Sequence, residues 1–141
     1  MKIYPYLIFN GNCAEAMTFY QQVLKGELEI VHYSDMPQIY PDTEPEDEQR
    51  VLHAHLDCGD YIIMASDAPV SQASPPLAGF SVAVMLQNVP AGQHIFDALS
   101  QGGKVTLPWA PTPWAQAFGM LTDRYGVNWM VNGGPKPKPQ A

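Results

Sequence analysis

The chain has 141 residues, 46% of them hydrophobic, which suits one domain with a continuous core or two half-domains sharing a cleft. Seven Lys and Arg against 14 Asp and Glu give a formal net charge of −7, a field that repels phosphate backbones and anionic lipid and argues against nucleic-acid and membrane partners. No apolar run approaches the ~18–20 residues that cross a bilayer, and the opening Met1-Lys2-Ile3-Tyr4-Pro5 lacks the regions of a secretory leader, so the expectation is a cytoplasmic protein whose Cys13 and Cys58 stay reduced as small buried thiols.

Residues 3–9 are apolar and aromatic and stop at Asn10-Gly11-Asn12, which predicts a strand and its turn. Asn12 is placed to cap a helix over 13–24. In that helix Cys13, Ala16, Met17, Tyr20, Val23 and Leu24 share one face, and Gly26 is placed as its left-handed stop. Residues 27–34 alternate as a strand. Residues 35–50 break every pattern, with Pro37, Pro41, Pro45 and the acids Asp35, Asp42, Glu44, Glu46, Asp47 and Glu48, and predict a solvated, mobile loop. Residues 51–58 alternate again, with Leu52, Ala54 and Leu56 on one face and His53, His55 and Asp57 on the other. After Gly59-Asp60, residues 61–65 are almost continuously apolar, as in a strand buried on both faces.

Residues 67–79 read as a connector, with Asp67 as a turn residue at the strand end. The order of elements then repeats. Residues 80–86 form a strand, and Asn88–Pro90 opens a helix through 101 with Ile95, Phe96 and Leu99 at helical spacing. Strands follow at 104–107, 115–121 and 127–132. The proline-punctuated tail, 135–141, is predicted to be disordered. One helix and about four strands thus occur twice at a period of roughly 75 residues. The expected fold is α+β: two βαβββ modules, about 3–67 and 79–132, forming a cleft between curved mixed sheets within one domain over 1–134.

The stretch Tyr4-Pro5-Tyr6-Leu7-Ile8-Phe9-Asn10-Gly11-Asn12-Cys13, with Phe19-Tyr20 and Leu24-Lys25-Gly26, is followed by His53-Ala54-His55-Leu56 and Met64-Ala65-Ser66-Asp67. The chain closes with Pro113-Trp114-Ala115, Phe118-Gly119, Thr122-Asp123-Arg124-Tyr125-Gly126-Val127 and Trp129-Met130-Val131-Asn132. In order and spacing these motifs resemble the PhnB-like branch of the vicinal-oxygen-chelate (glyoxalase/bleomycin-resistance/dioxygenase) superfamily, over residues 3–132. The resemblance implies the glyoxalase/bleomycin-resistance fold and a homodimer. Such proteins are often labelled 3-demethylubiquinone-9 3-methyltransferase-like. Yet an adenosine-bearing methyl donor usually needs a Gly-rich strand-to-helix turn, and no G-x-G-like run follows a strand here.

Metal-dependent members of the superfamily set His and Glu ligands on the first and last strand of each half. The resemblance puts Pro5, Met64, Phe80 or Ser81, and Met130 at those positions. None is His, Glu or Asp, and a thioether matches Zn²⁺, Mg²⁺ or Fe²⁺ poorly, so no metal and no cofactor are expected. As an alternative, His53 and His55 share a strand face and could hold part of a metal sphere, with a third ligand from Asp35, Asp57 or Asp67. His32 and His94 read as surface or packing residues. No G-x-S-x-G and no Cys paired with a base is present. His53, ionisable near neutral pH, is the candidate catalytic group.

Strand parity sets Ile62 and Ser66 beside Met64, and Asn128 and Asn132 beside Met130, while Tyr61, Ile63, Trp129 and Val131 pack under the helices. The candidate ligand-binding residues are therefore Tyr6, His53, His55, Met64 and Ser66 in the first module. In the second they are Trp109, Trp114, Phe118, Asn128 and Met130. A soft apolar surface with a few amides suits a small, partly apolar organic molecule. Three readings follow: a binder that does not transform its ligand, an enzyme using His53 as a base or His53 and His55 as metal ligands, and an assembly protein with a vestigial cleft.

Overall fold

The structure is a computed structural model that describes residues 1–137. The chain divides into two compact units, Met1–Pro75 and the residues from Pro76 onward. Each holds one helix and one four-stranded mixed sheet.

In the first unit the elements are β1 (Tyr6–Phe9), α1 (Cys13–Leu24), β2 (Glu27–His32), β3 (Val51–Asp57) and β4 (Ile62–Asp67). The strand order is β1-β4-β3-β2, with β1 parallel to β4 and the other pairs antiparallel. Joining parallel neighbours requires a crossover, and α1 lies on the sheet as part of it. Its Cys13, Ala16, Met17 and Tyr20 are buried, as are Leu7, Phe9, Ala54, Leu56, Ile63 and Ala65 of the strands.

Both ends of α1 differ from expectation. Asn12 makes no side-chain capping bond; Asp67, from the far end of β4, accepts from the Cys13 N–H at 3.0 Å and the Gly11 N–H at 2.8 Å. Asp67 also accepts from the Val51 N–H at 3.0 Å and is 2% exposed, so it is an interior junction that ends β4 and not a turn residue. At the other end Lys25 takes the left-handed conformation, at φ 62°. Gly26 is required for a different reason: a β-carbon there would lie 2.7 Å from the Asp57 carbonyl oxygen and from Cys58 Sγ.

The acidic segment is built of short helical turns at Tyr33–Asp35 and Pro45–Asp47. It is tied down where Tyr33 N donates to the Arg50 carbonyl and Ser34 N to that of Glu48, both at 3.1 Å. Strand β4 alternates buried Ile63, Ala65 and Asp67 with half-buried Ile62, Met64 and Ser66, so it is not buried on both faces. Tyr61 falls outside it and is 43% exposed, not under the helix.

The second unit repeats this connectivity with β5 (Val82–Leu86), α2 (Val89–Ser100), β6 (Lys104–Ala110), β7 (Phe118–Thr122) and β8 (Asn128–Gly133), in the order β5-β8-β7-β6. Here the cap is local: Asn88 Oδ1 accepts from the Ala91 N–H at 2.9 Å. Phe96 and Leu99 of α2 are buried, as are Leu121, Trp129 and Val131 of the sheet. The predicted disorder does not begin at 135, because Pro135 bridges to Ala115 and Lys136 N donates to the Trp114 carbonyl at 3.3 Å. The rest of that prediction, residues 138–141, lies outside the described residues. Among the described residues no helix is long and apolar enough to cross a membrane.

Candidate functional site

One face of the first sheet is covered by α1, so the alternate residues of each strand form the opposite face. Register fixes who meets there. Tyr6 pairs with Met64 across β1 and β4, His55 pairs with Met64 across β3 and β4, and Glu29 pairs with His55 across β2 and β3. The row Tyr6–Met64–His55–Glu29 therefore spans all four strands. One step along, Ile8 pairs with Ser66 and Val31 with His53.

His53 leans back to the first row. Its Nδ1 lies 3.1 Å from the Tyr6 hydroxyl, and the two rings stack with centroids 5.7 Å apart at 27°. The His55 ring centroid is 6.4 Å from that of His53. Either the phenol donates to Nδ1, leaving the ring hydrogen on Nε2, or Nδ1–H donates to the phenol oxygen; the tautomer sets the direction. Tyr6 is 45% exposed and Ile8 41%, so aromatic and aliphatic surface accompanies this pair.

In the second unit Met130 pairs with both Ala83 and Met120. Beside them lies a hollow of about 500 Å³ lined by residues that include Phe80, Ser81, Thr106, Met120, Asn128 and Met130. Asn128 is held in place: its Oδ1 accepts from Thr122 Oγ1 at 2.6 Å and its Nδ2 donates to the Phe80 carbonyl at 3.4 Å. Asn132 is buried and accepts from the Gly134 N–H.

The structure thus gathers Tyr6, His53, His55, Met64 and Ser66 on one sheet face, and Asn128 and Met130 at one hollow. The remaining aromatic residues lie elsewhere. Trp109 packs on Phe96 of α2, ring centroids 5.3 Å apart, and its buried indole N–H has no partner among the described residues. Phe118 is 5% exposed, and Trp114, 56% exposed, meets it edge-on at 5.5 Å. Sequence reasoning missed Met120, Thr106 and Glu29. Each joins its site through cross-strand register, which alternation within a strand does not reveal.

The superfamily's metal can be tested against these donors. The side chain opposite Met64 is Tyr6, not Pro5, whose contribution is a carbonyl accepting from the Met64 N–H at 3.2 Å. Opposite Met130 stands Ala83, with Phe80 and Ser81 lining the same hollow, and none of these side chains is a His, Glu or Asp donor. Around the two histidines, Asp67 spends its oxygens on backbone donors, Asp35 accepts from the His32 N–H, and Asp57 accepts from the Gly59 N–H. Among the described residues no three His, Cys, Asp or Glu side chains gather as a ligand set. The residues do not fit a divalent ion.

The thiols are equally poor nucleophiles. Burial, with a smaller contribution from the Asp67 carboxylate, pushes the Cys13 thiol up to about 12. Burial also raises Cys58, partly offset by a hydrogen bond with Tyr61. Neither is a thiolate near neutral pH.

Comparison with known proteins gives a consistent result. Residues 1–132 match the pattern of the 3-demethylubiquinone-9 3-methyltransferase family. Protein YjdN of Escherichia coli is 36% identical over 141 residues, covering 94% of this chain and 95% of that protein. The crystal structure of PA1353 from Pseudomonas aeruginosa superposes with a TM-score of 0.86 at 41% identity, covering 95% of this chain and 98% of that one. A PhnB protein from Bacillus cereus superposes with a TM-score of 0.74 at 28% identity, covering 94% and 98%. A glyoxalase/bleomycin-resistance/dioxygenase domain from Frankia shares the fold at 11% identity, with a TM-score of 0.64.

Proposed function

The chain belongs to the PhnB-like, 3-demethylubiquinone-9 3-methyltransferase family of the vicinal-oxygen-chelate superfamily, and from that premise we propose that it binds a small, partly apolar organic molecule without a metal. The observation that carries this reading is the Tyr6–Met64–His55 row with its Tyr6–His53 hydrogen bond. A sheet face turned away from its helix is ordinarily clothed in charged and polar side chains. Apart from Glu29 on its edge strand, this one offers an aromatic ring, a thioether and two imidazoles, a combination suited to a flat ligand with one or two acceptors. Met120, Met130 and Phe80 give the hollow of the second unit the same character.

His53 is the group we assign to hydrogen bonding or proton transfer, since its ring is oriented by Tyr6. The homodimer and the cytoplasmic location rest on the family resemblance and on composition. The methyl transfer in the family's name is not supported by the topology, because each unit has one helix and a single parallel strand pair, unlike the doubly wound sheets that hold adenosine cofactors.

Native mass spectrometry of protein taken directly from cells, with a thermal-shift screen of small organic molecules, tests the reading. A bound molecule should raise the melting temperature, and both Met64→Glu and His53→Ala should abolish the rise. A stoichiometric metal ion in protein purified without chelator, lost in His53→Ala, would replace it with the metal-enzyme alternative.

A further inference from the structure

A second hollow lies wholly within the first unit and is lined by none of the residues assigned above. Its volume is about 460 Å³, and the acidic segment supplies most of its wall, with Pro69, Ser71 and Gln72 opposite. Tyr33 and Tyr40 meet there edge to face, centroids 5.4 Å apart at 70°, so two aromatic surfaces form a corner. Three carboxylates, Asp42, Glu44 and Asp47, share the lining, and among the described residues no Lys, Arg or His does. Arg50 stands outside the lining, with Nε 3.8 Å from Asp47 Oδ1.

The corner is held in shape. Tyr33 is 8% exposed and its hydroxyl donates to the Asp67 carbonyl at 3.1 Å. Tyr40 N donates to the Met36 carbonyl at 3.0 Å, and Thr43 Oγ1 to the Tyr40 carbonyl at 2.9 Å. Asp47, 5% exposed, accepts from the Val70 N–H at 3.0 Å, which joins the two walls. Yet this ordered segment leaves Tyr40 45% and Ile39 61% exposed beside the carboxylates. Apolar side chains flanked by carboxylates match one ligand chemistry: a cation that also carries apolar surface.

We propose that this hollow binds an organic ammonium group, quaternary or alkylated, with the cation against the Tyr33–Tyr40 corner and Asp42 and Glu44 supplying the surrounding negative potential. Ring faces attract such cations through the aromatic quadrupole, and a weakly hydrated ammonium loses less on leaving water than a metal ion does. The site is independent of the sheet-face reading and would survive its failure.

Choline is the probe, titrated by calorimetry and by NMR of the tyrosine rings. Its neutral carbon isostere, in which a tert-butyl group replaces the trimethylammonium, is the control. Saturable choline binding is expected, with the isostere at least about fivefold weaker. Tyr40→Phe should bind as the native protein does, and Tyr40→Leu about fivefold more weakly. Paired Asp42→Asn and Glu44→Gln should weaken binding about threefold at low salt and have little effect at high salt. Equal binding of the isostere, no saturable binding, undiminished binding by Tyr40→Leu, or displacement of choline by Ca²⁺ alone with carboxylate dependence and no tyrosine dependence would each overturn the proposal. The isostere comparison uses the native protein and so decides even if a variant misfolds.

Discussion

The carboxylate of Asp67 caps the helix that begins at Cys13, 54 residues earlier in the chain, with Oδ1 3.0 Å from the Cys13 amide nitrogen. The same side chain takes the Gly11 and Val51 N–H groups, so one buried residue joins the end of β1, the start of α1 and the start of β3. A buried acceptor with three donors cannot be replaced by an amide: an asparagine side chain in its place would have to turn its NH₂ toward one of the N–H groups. Asp67→Asn should lower the unfolding free energy by about 2–3 kcal/mol and Asp67→Ala by about 3–5 kcal/mol. Urea denaturation monitored by circular dichroism measures both; a loss under about 1 kcal/mol for the alanine variant would show that the junction is not held by this carboxylate.

At the other end of α1 the close approach of two elements makes the prediction. A methyl at residue 26 would press on the Asp57 carbonyl oxygen and Cys58 Sγ, and a backbone oxygen cannot swing aside. Gly26→Ala is expected to destabilise by about 1–3 kcal/mol. Gly59→Ala, where a β-carbon meets nothing within 4 Å but φ is +92°, isolates the purely conformational cost in the same hairpin region. A neutral or stabilising Gly26→Ala would contradict the packing seen here.

Alkali should weaken the fold. In the native state the Cys13 thiol is raised from 9.0 to about 12, so its stabilisation is fully present below pH 9 and is lost as pH rises toward 12. Tyr33, 8% exposed, is raised by burial and moves in the same direction. Urea midpoints measured from pH 8 to pH 11 should fall, and Cys13→Ala should remove up to about one proton's share of the slope. A thiol reagent at pH 8 should label no more than one cysteine, Cys58, until the protein is unfolded. Native labelling of Cys13 would refute the burial argument.

The Tyr6–His53 pair is predicted to serve binding and not stability. Both groups lie on a partly solvated face, where a hydrogen bond exchanges with water at little net gain. A double-mutant cycle with Tyr6→Phe and His53→Ala should give a coupling below about 1 kcal/mol in unfolding. The same substitutions should abolish the thermal shift produced by a bound organic molecule. If His53→Ala alone costs more than about 2 kcal/mol, the pair is structural.

Much of this was legible before any coordinates. The helix predicted at 13–24 is the helix observed, because Cys13, Ala16, Met17 and Tyr20 recur at helical spacing between an asparagine-glycine turn and a glycine. The histidines at 53 and 55 share a face opposite Ala54 and Leu56, as alternation requires. Residues 61–65 misled, because an apolar run looks the same whether one face or two is covered. Tyr61 sits in the turn and Ser66 and Asp67 complete the strand.

What the sequence determined on its own was the order of elements and its duplication, since periodicity, turn residues and strand parity act over a few residues and need no partner to be read. Only the tertiary structure decided which residues meet: Tyr6 instead of Pro5 opposite Met64, Met120 beside Met130, Trp109 against Phe96, and Asp67 in place of Asn12 as the cap of α1. Those pairings follow from strand register and helix docking. Both are set by burial summed across the whole unit, a quantity that no local stretch of chain contains.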